Sequence, residues 1–145
     1  MDAFERQVRA IAIQTLRDTG AAPSAAAIGD LLRVDASRVS AALRALEAAH
    51  RLVLVPGTDA VMMAHPFSGI ASDFRVTVGA RTWFANCVWD GLAILALLGD
   101  GTLETHSPAT GDPIALTAHE GVVEGDAVVH FPVPARRFWD DIVFT

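Results

Sequence analysis

The sequence predicts an α+β fold, in which three helices and a β-hairpin precede a β-rich segment packed on one central helix. Two observations predict it. Residues 1–65 repeat the apolar spacing of a helix three times and end in two short apolar runs joined by a turn. Residues 66–145 instead show short extended runs separated by turn residues. We therefore expect a winged-helix-like domain at 1–65 and a second domain with a mixed or antiparallel sheet at 66–145.

The first two predicted helices have recognisable ends. Asp2 and Glu5 have the spacing of a capping box, Gly20 is placed to end that helix, and Ser24 can cap the next. The third helix opens at Asp35 or Ser37. The predicted inward positions are Phe4, Val8, Ile11, Ala12 and Thr15, then Ile28, Leu31 and Leu32, then Val39, Ala42, Leu43 and Leu46.

The third helix is the one that reads DNA in a winged helix-turn-helix, and here it offers Arg38, Arg44 and Ser40. The formal net charge is −6, and this acidic balance argues against broad binding of a phosphate backbone, which needs a clustered basic face. We therefore expect a packing module, and nucleic acid is not an expected partner.

In the second half, residues 74–78 alternate with period two, and residues 81–84 return after a Gly79-Ala80 turn. Asn86 can cap a helix from about 87 to 98 that ends at Gly99. Further extended pieces are predicted near 103–107, 114–117 and 128–131 and from 142 onward, with a short helix near 135–140. Trp89, Phe138 and Trp139 are predicted to lie in the core.

Composition narrows the class of protein. The chain is 52% hydrophobic and 19% charged, which is enough apolar residue for a packed core. It has one cysteine, no signal-peptide pattern at its start and no apolar run near the roughly 20 residues of a membrane span. A soluble cytoplasmic protein without a membrane partner is expected.

The single cysteine, Cys87, is the candidate chemical site, with Asp90 three residues later. In the first turn of a helix, backbone N–H groups would favour a thiolate, and Asp90 would lie on the same face. A thiolate binds soft metals, and a nearby carboxyl can move a proton. The alternative is a small buried thiol beside a carboxylate that only satisfies the helix dipole. His106 and His130 could face the same cavity, or be solvated or core histidines.

The motifs around this pair resemble the organomercurial (alkylmercury) lyase family. They are Asn86-Cys87-Val88-Trp89-Asp90-Gly91-Leu92, Leu97-Leu98-Gly99, and Ser107-Pro108-Ala109-Thr110-Gly111-Asp112-Pro113. Members of that family carry Cys-x-x-Asp at a helix start, a leucine-glycine helix end and then an Ala-Thr-Gly turn. The family also begins with a winged-helix-like domain.

The resemblance implies protonolysis of a carbon–mercury bond, as in detoxification of organomercurials. Cys87 would bind mercury as a thiolate, and Asp90 would transfer the proton and lie beside the metal. Mercury would be substrate and product, and no organic cofactor is implied. The expected partner is a small organomercurial or another soft-metal ligand.

One departure from the family concerns a second cysteine, which its members carry on a later strand. No cysteine follows Cys87 here, although residues 138–145 look like the lead-in to that strand. We expect that this chain is a piece of a longer protein and stops before that strand. The other explanation is that the protein has lost the second thiol. Either would make a poor lyase, so a non-catalytic thiol or metal-binding module, or a winged-helix regulator, is the alternative function.

Overall fold

The computed structural model describes residues 1–142, and the chain divides into two compact units, Met1–Ala71 and Ser72–Thr145. Both units combine helices with antiparallel strands, which confirms the α+β class. Within residues 1–142, none of the helices has the length and apolar character needed to cross a membrane.

The first unit contains three helices followed by three short strands. The helices are α1 (Ala3–Thr19), α2 (Ala25–Leu32) and α3 (Ala36–Ala48), and the strands are β1 (Val53–Leu54), β2 (Val61–Ala64) and β3 (Phe67–Ser68). Both β1 and β3 pair antiparallel with β2. This order fits the predicted three helices and hairpin; the winged-helix interpretation stays a prediction.

The helix ends of this unit follow the local sequence. Asp2 and Glu5 form the predicted capping box, Gly20 ends α1 in the left-handed conformation, and Ser24 caps α2 through the backbone N–H of Ala27. Asp35 is the N-cap of α3, without a side-chain hydrogen bond. These ends were predictable because each cap depends only on its neighbours in the chain.

The core of the first unit contains most of the predicted inward residues. Val8, Ala12, Ile28, Val39, Ala42, Leu43 and Leu46 are buried, together with Leu16. The prediction for Leu31 was wrong, since its side chain is 67% exposed at the end of α2.

Two of the three candidate DNA-contact residues of α3 make contacts inside the first unit. Ser40 is buried and its hydroxyl donates to the carboxylate of Asp59. The guanidinium of Arg38 lies 4.2 Å from the ring centroid of Phe4, which is cation–π geometry. These contacts support a packing role for α3.

The second unit is a sheet with one helix against it. Its elements are β4 (Phe74–Val78), β5 (Arg81–Ala85), α4 (Val88–Leu98), β6 (Gly101–His106), β7 (Pro113–His119), β8 (Val122–Glu124) and a 3₁₀ helix (Ala135–Asp140). The strands are antiparallel in the order β5-β4-β6-β7-β8. The strand predicted at 128–131 was wrong: the last described strand is β8, and residues 128–131 are irregular. The strand predicted from 142 falls on residues 143–145, which lie outside the described range.

Helix α4 packs closely on β6 because glycine stands at two contact points. A Cβ atom on Gly91 would lie 2.7 Å from both terminal methyl carbons of Leu103, and one on Gly101 would lie 3.1 Å from a methyl carbon of Leu95. The step from Gly91 to Leu95 along the helix and the step from Leu103 to Gly101 along the strand each span about 6 Å. The helix therefore runs antiparallel to β6, above the face that carries Leu103.

This close approach gives a prediction for stability. Gly91→Val is expected to reduce the free energy of unfolding by about 1–3 kcal/mol, because the added side chain would overlap the methyl groups of the fully buried Leu103. Ala96→Val on the exposed face of α4 is the matched control and should cost about 0.5 kcal/mol, from helix propensity alone. Urea unfolding measures both, and equal losses would contradict the packing argument.

Candidate functional site

Cys87 lies between β5 and α4, at the N-cap position of the helix. Its backbone is extended, with φ −154° and ψ 177°, and its carbonyl oxygen accepts the first helical hydrogen bond from the N–H of Gly91 at 3.0 Å. The prediction that Asn86 caps this helix was therefore wrong by one residue. The thiol is half-buried at the helix N-terminus, where the first backbone N–H groups have no partner within the helix.

Asp90 occupies the first turn of the same helix and is almost fully buried, with 8% of its surface exposed. Its Oδ2 accepts a hydrogen bond from Nδ2 of Asn86 at 2.9 Å. Asn86 thus orients the carboxylate of Asp90. From the sequence, Asn86 was predicted only to cap the helix. The four-residue spacing between Asn86 and Asp90 at the start of the helix could have predicted this contact.

The pKa of the Cys87 thiol is raised from its ordinary value, mainly because burial penalises the charged thiolate. The backbone N–H of Asp90 lowers this pKa, the carboxylate charge of Asp90 raises it, and the backbone N–H of Trp89 lowers it. The helix end was expected to favour the thiolate, but burial outweighs it. In the free protein the thiol form is favoured, and binding a metal at sulfur must displace a proton.

This balance predicts the pH dependence of alkylation. The iodoacetamide rate at Cys87 should reach half its maximum above the pH of about 8.5 expected for a free cysteine. Asp90→Asn should move the midpoint down, because it removes a negative charge while keeping the backbone N–H groups. Metal affinity should rise with pH up to that midpoint. A midpoint below that of free cysteine would contradict the account.

Thr105 of β6 is a buried polar residue that the sequence analysis did not single out. Gly91 lies against Leu103 and Leu95 against Gly101, so the same progression places the first turn of α4 above Thr105. Thr105 is buried and shares the sheet face of Leu103. From the sequence, the two-residue spacing predicts only that Thr105 and Leu103 share one face of the strand. It does not show that α4 packs on that face.

The two histidines considered with the thiol lie elsewhere. His106 follows Thr105 directly, so it points to the opposite face of the sheet, where Arg75 and Glu104 form an ion pair at 2.6 Å. His130 is exposed in the irregular segment after β8. Across residues 1–142, no three His, Cys, Asp or Glu side chains are grouped so that they could hold a metal ion.

The turn at 107–113 joins β6 to β7 and is held by its own hydrogen bonds. The N–H of Ser107 donates to the carbonyl of Asp112, and the N–H of Gly111 donates to the carbonyl of Ser107, both at 2.8 Å. The hydroxyl of Thr110 donates to the Asp112 carboxylate at 2.7 Å. This closed turn joins the paired ends of β6 and β7, where His106 lies opposite Pro113.

The prediction that Trp89 and Trp139 lie in the core was wrong, whereas Phe138 is half-buried. Trp89 is 58% exposed and Trp139 40% exposed. The Trp89 ring meets Phe131 edge-on at 6.2 Å between centroids, and Phe131 stacks on Phe138 at 6.0 Å.

Comparison with known proteins gives a family and a related fold. The family model described as "MerB: Alkylmercury lyase" matches residues 67–145, more than half of the chain. A solved structure titled "Crystal structure of the mercury-bound form of MerB2" superposes with a TM-score of 0.70 at 20% identity, over 87% of this chain. The chain spans 61% of that protein's length. The comparison with curated proteins found no match. The match over residues 67–145, which contain Cys87 and Asp90, shows that this chain belongs to the alkylmercury lyase family.

Proposed function

We propose that this chain binds an organomercurial through Cys87 and cleaves its carbon–mercury bond by protonolysis, with Asp90 as the proton-transfer carboxyl. The observation that carries the proposal is the pairing at the start of α4. A half-buried thiol at the N-cap and a buried carboxylate share one helical turn, and Asn86 holds that carboxylate.

The binding step exchanges a ligand at mercury. The organomercurial RHgX meets the Cys87 thiol; the S–Hg bond forms, the Hg–X bond breaks and X⁻ leaves. The thiol proton goes to the Asp90 carboxylate, whose negative charge already acts on Cys87. A soft sulfur ligand is the type that a soft metal prefers, so the bound state is stable.

The cleavage step returns that proton to carbon. The protonated Asp90 donates to the carbon attached to mercury, and the electron pair of the C–Hg bond forms the new C–H bond. The hydrocarbon RH leaves, and mercury stays divalent on Cys87. A second thiolate, supplied by a low-molecular-weight thiol in solution, takes the vacated position on mercury. General acid catalysis of this kind contributes about 10²- to 10⁴-fold.

A second candidate function is a thiol or metal-binding module without turnover. The observation that favours it is the single cysteine, which supplies one sulfur ligand where two would hold mercury more firmly. This alternative predicts a phenylmercury adduct that persists with its phenyl group attached.

The test is a single turnover with phenylmercury at one equivalent, with and without a low-molecular-weight thiol. The lyase proposal predicts benzene in the headspace and mercury retained by the protein. Retention of intact phenylmercury in both conditions would contradict the lyase proposal and favour the non-catalytic binding module.

A further inference from the structure

The side chain of Asn86 closes a short loop of the chain around the thiol. Asn86 directly precedes Cys87, and its Nδ2 donates to Oδ2 of Asp90, four residues later, at 2.9 Å. The hydrogen bond therefore spans the residue that carries the thiol. Asp90 is buried and Asn86 is half-buried, so water competes poorly for this carboxylate oxygen. A hydrogen bond to a charged acceptor in such a place is among the stronger ones in a protein.

The backbone that carries Asn86 is held on the side of the sheet. The hydroxyl of Ser72 donates to the carbonyl of Ala85 at 2.5 Å, at the last residue pair of the β4–β5 ladder. Asn86 is the next residue, and α4 begins at Val88. The carboxamide of Asn86 thus reaches Asp90 from the end of a paired strand, so the backbone gives it a defined starting position.

The donor character of this contact bears on which oxygen of Asp90 can carry a proton. The Nδ2 of an asparagine amide only donates. A carbonyl oxygen accepts a hydrogen bond better than a hydroxyl oxygen, so the protonated acid keeps the bond from Asn86 when the proton is on Oδ1. Each carboxylate oxygen has two acceptor positions, so Oδ1 can take a proton and still accept a hydrogen bond. The contact with Asn86 can therefore persist in both protonation states of Asp90.

We propose that Asn86 is a positioning residue for the protonolysis, because it holds Oδ2 of Asp90 and directs the transferred proton to Oδ1. This inference rests on the proposed function. On binding, the S–H bond of Cys87 breaks and the Oδ1–H bond forms; on cleavage, the Oδ1–H bond breaks and the electron pair of the C–Hg bond forms the C–H bond. Without Asn86 the carboxyl group can rotate, and it spends less time in the orientation that delivers the proton.

The test compares adduct formation with benzene release in Asn86→Leu, which has nearly the shape of the parent side chain but no donor. Phenylmercury should form the adduct at Cys87 in the same yield as in the parent. Benzene release from that adduct, timed after addition of a small thiol, should slow about tenfold, because the proton donor is no longer held in place. A merely structural role would impair both steps together. Asn86→Ala removes the same donor without the branched methyl groups and should show the same split, also if the leucine variant unfolds.

Arg75→Met is the matched control for the loss of a donor to a carboxylate. Arg75 donates to the carboxylate of Glu104 at 2.6 Å, on the opposite face of the same sheet. Its replacement should leave adduct formation and benzene release at the values of the parent.

A double-mutant cycle with Asp90→Asn shows whether Asn86 acts through Asp90. In the Asp90→Asn background, Asn86→Leu should cause no further slowing of the residual benzene release. An equal tenfold loss in both backgrounds, or release at the rate of the parent in both Asn86 variants, would overturn the inference and leave the proposed function intact. A parent adduct that keeps its phenyl group would overturn the proposed function, and this inference with it.

Discussion

Replacing Cys87 with alanine is expected to lower the affinity for phenylmercury at least about a hundredfold, because it removes the metal ligand itself. Cys87 is the only cysteine in the sequence, so no other thiol can take over. Nitrogen and oxygen ligands are a poor substitute for a soft metal, and no cluster of three potential metal-binding side chains exists in residues 1–142. Isothermal titration with phenylmercury at neutral pH measures the loss.

The control for this variant is Cys87→Ser, which keeps the size of the side chain and the N-cap position. It should fold like the parent and also fail to bind, since its oxygen is a hard ligand. Thermal unfolding of both variants separates loss of a ligand from loss of the fold. One-to-one binding by the alanine variant at the affinity of the parent would show that the site lies elsewhere.

Replacing Asp90 with asparagine is expected to separate binding from cleavage. The variant keeps the shape of the side chain and an oxygen that can accept from Nδ2 of Asn86. Removing the negative charge lowers the pKa of Cys87, so binding of phenylmercury at neutral pH should be as strong or stronger. Benzene release should fall about 10²- to 10⁴-fold, because an amide cannot deliver a proton.

Asp73→Asn is the matched control for the loss of one carboxylate. Asp73 is exposed just before β4, and its replacement should leave both binding and benzene release unchanged. If Asp90→Asn released benzene at the rate of the parent, the proton would come from another group or from water, and Asp90 would not be the proton donor.

Features of the fold that depend only on neighbouring residues in the chain could be predicted from the sequence. The capping box of Asp2 and Glu5, the Gly20 helix end and the 74–78 strand all appear as predicted. The family resemblance around Cys87 was likewise local, and the family match confirms it. Local motifs can be read this way because the interactions that form them span only a few residues.

Several of the features that were missed depend on contacts between distant parts of the chain. Trp89 was predicted to lie in the core, yet it is 58% exposed and its ring meets that of Phe131, far along the sequence. The state of the Cys87 thiol could not be predicted from the helix start alone, because burial by the surrounding fold determines the direction of its pKa. The position of Thr105 required the packing of α4 on β6 through Gly91.

In the proposed mechanism Cys87 and Asp90 act as one reacting unit, and mass spectrometry of the intact protein and of its peptides during a single turnover measures this. With phenylmercury and a small thiol, the parent should first gain the mass of a phenylmercury group on the peptide containing Cys87. That adduct should then lose its phenyl group as benzene while mercury stays on Cys87, and Asp90→Asn should stop at the first adduct. A parent adduct that keeps its phenyl group, or mercury found on a peptide without Cys87, would contradict the account.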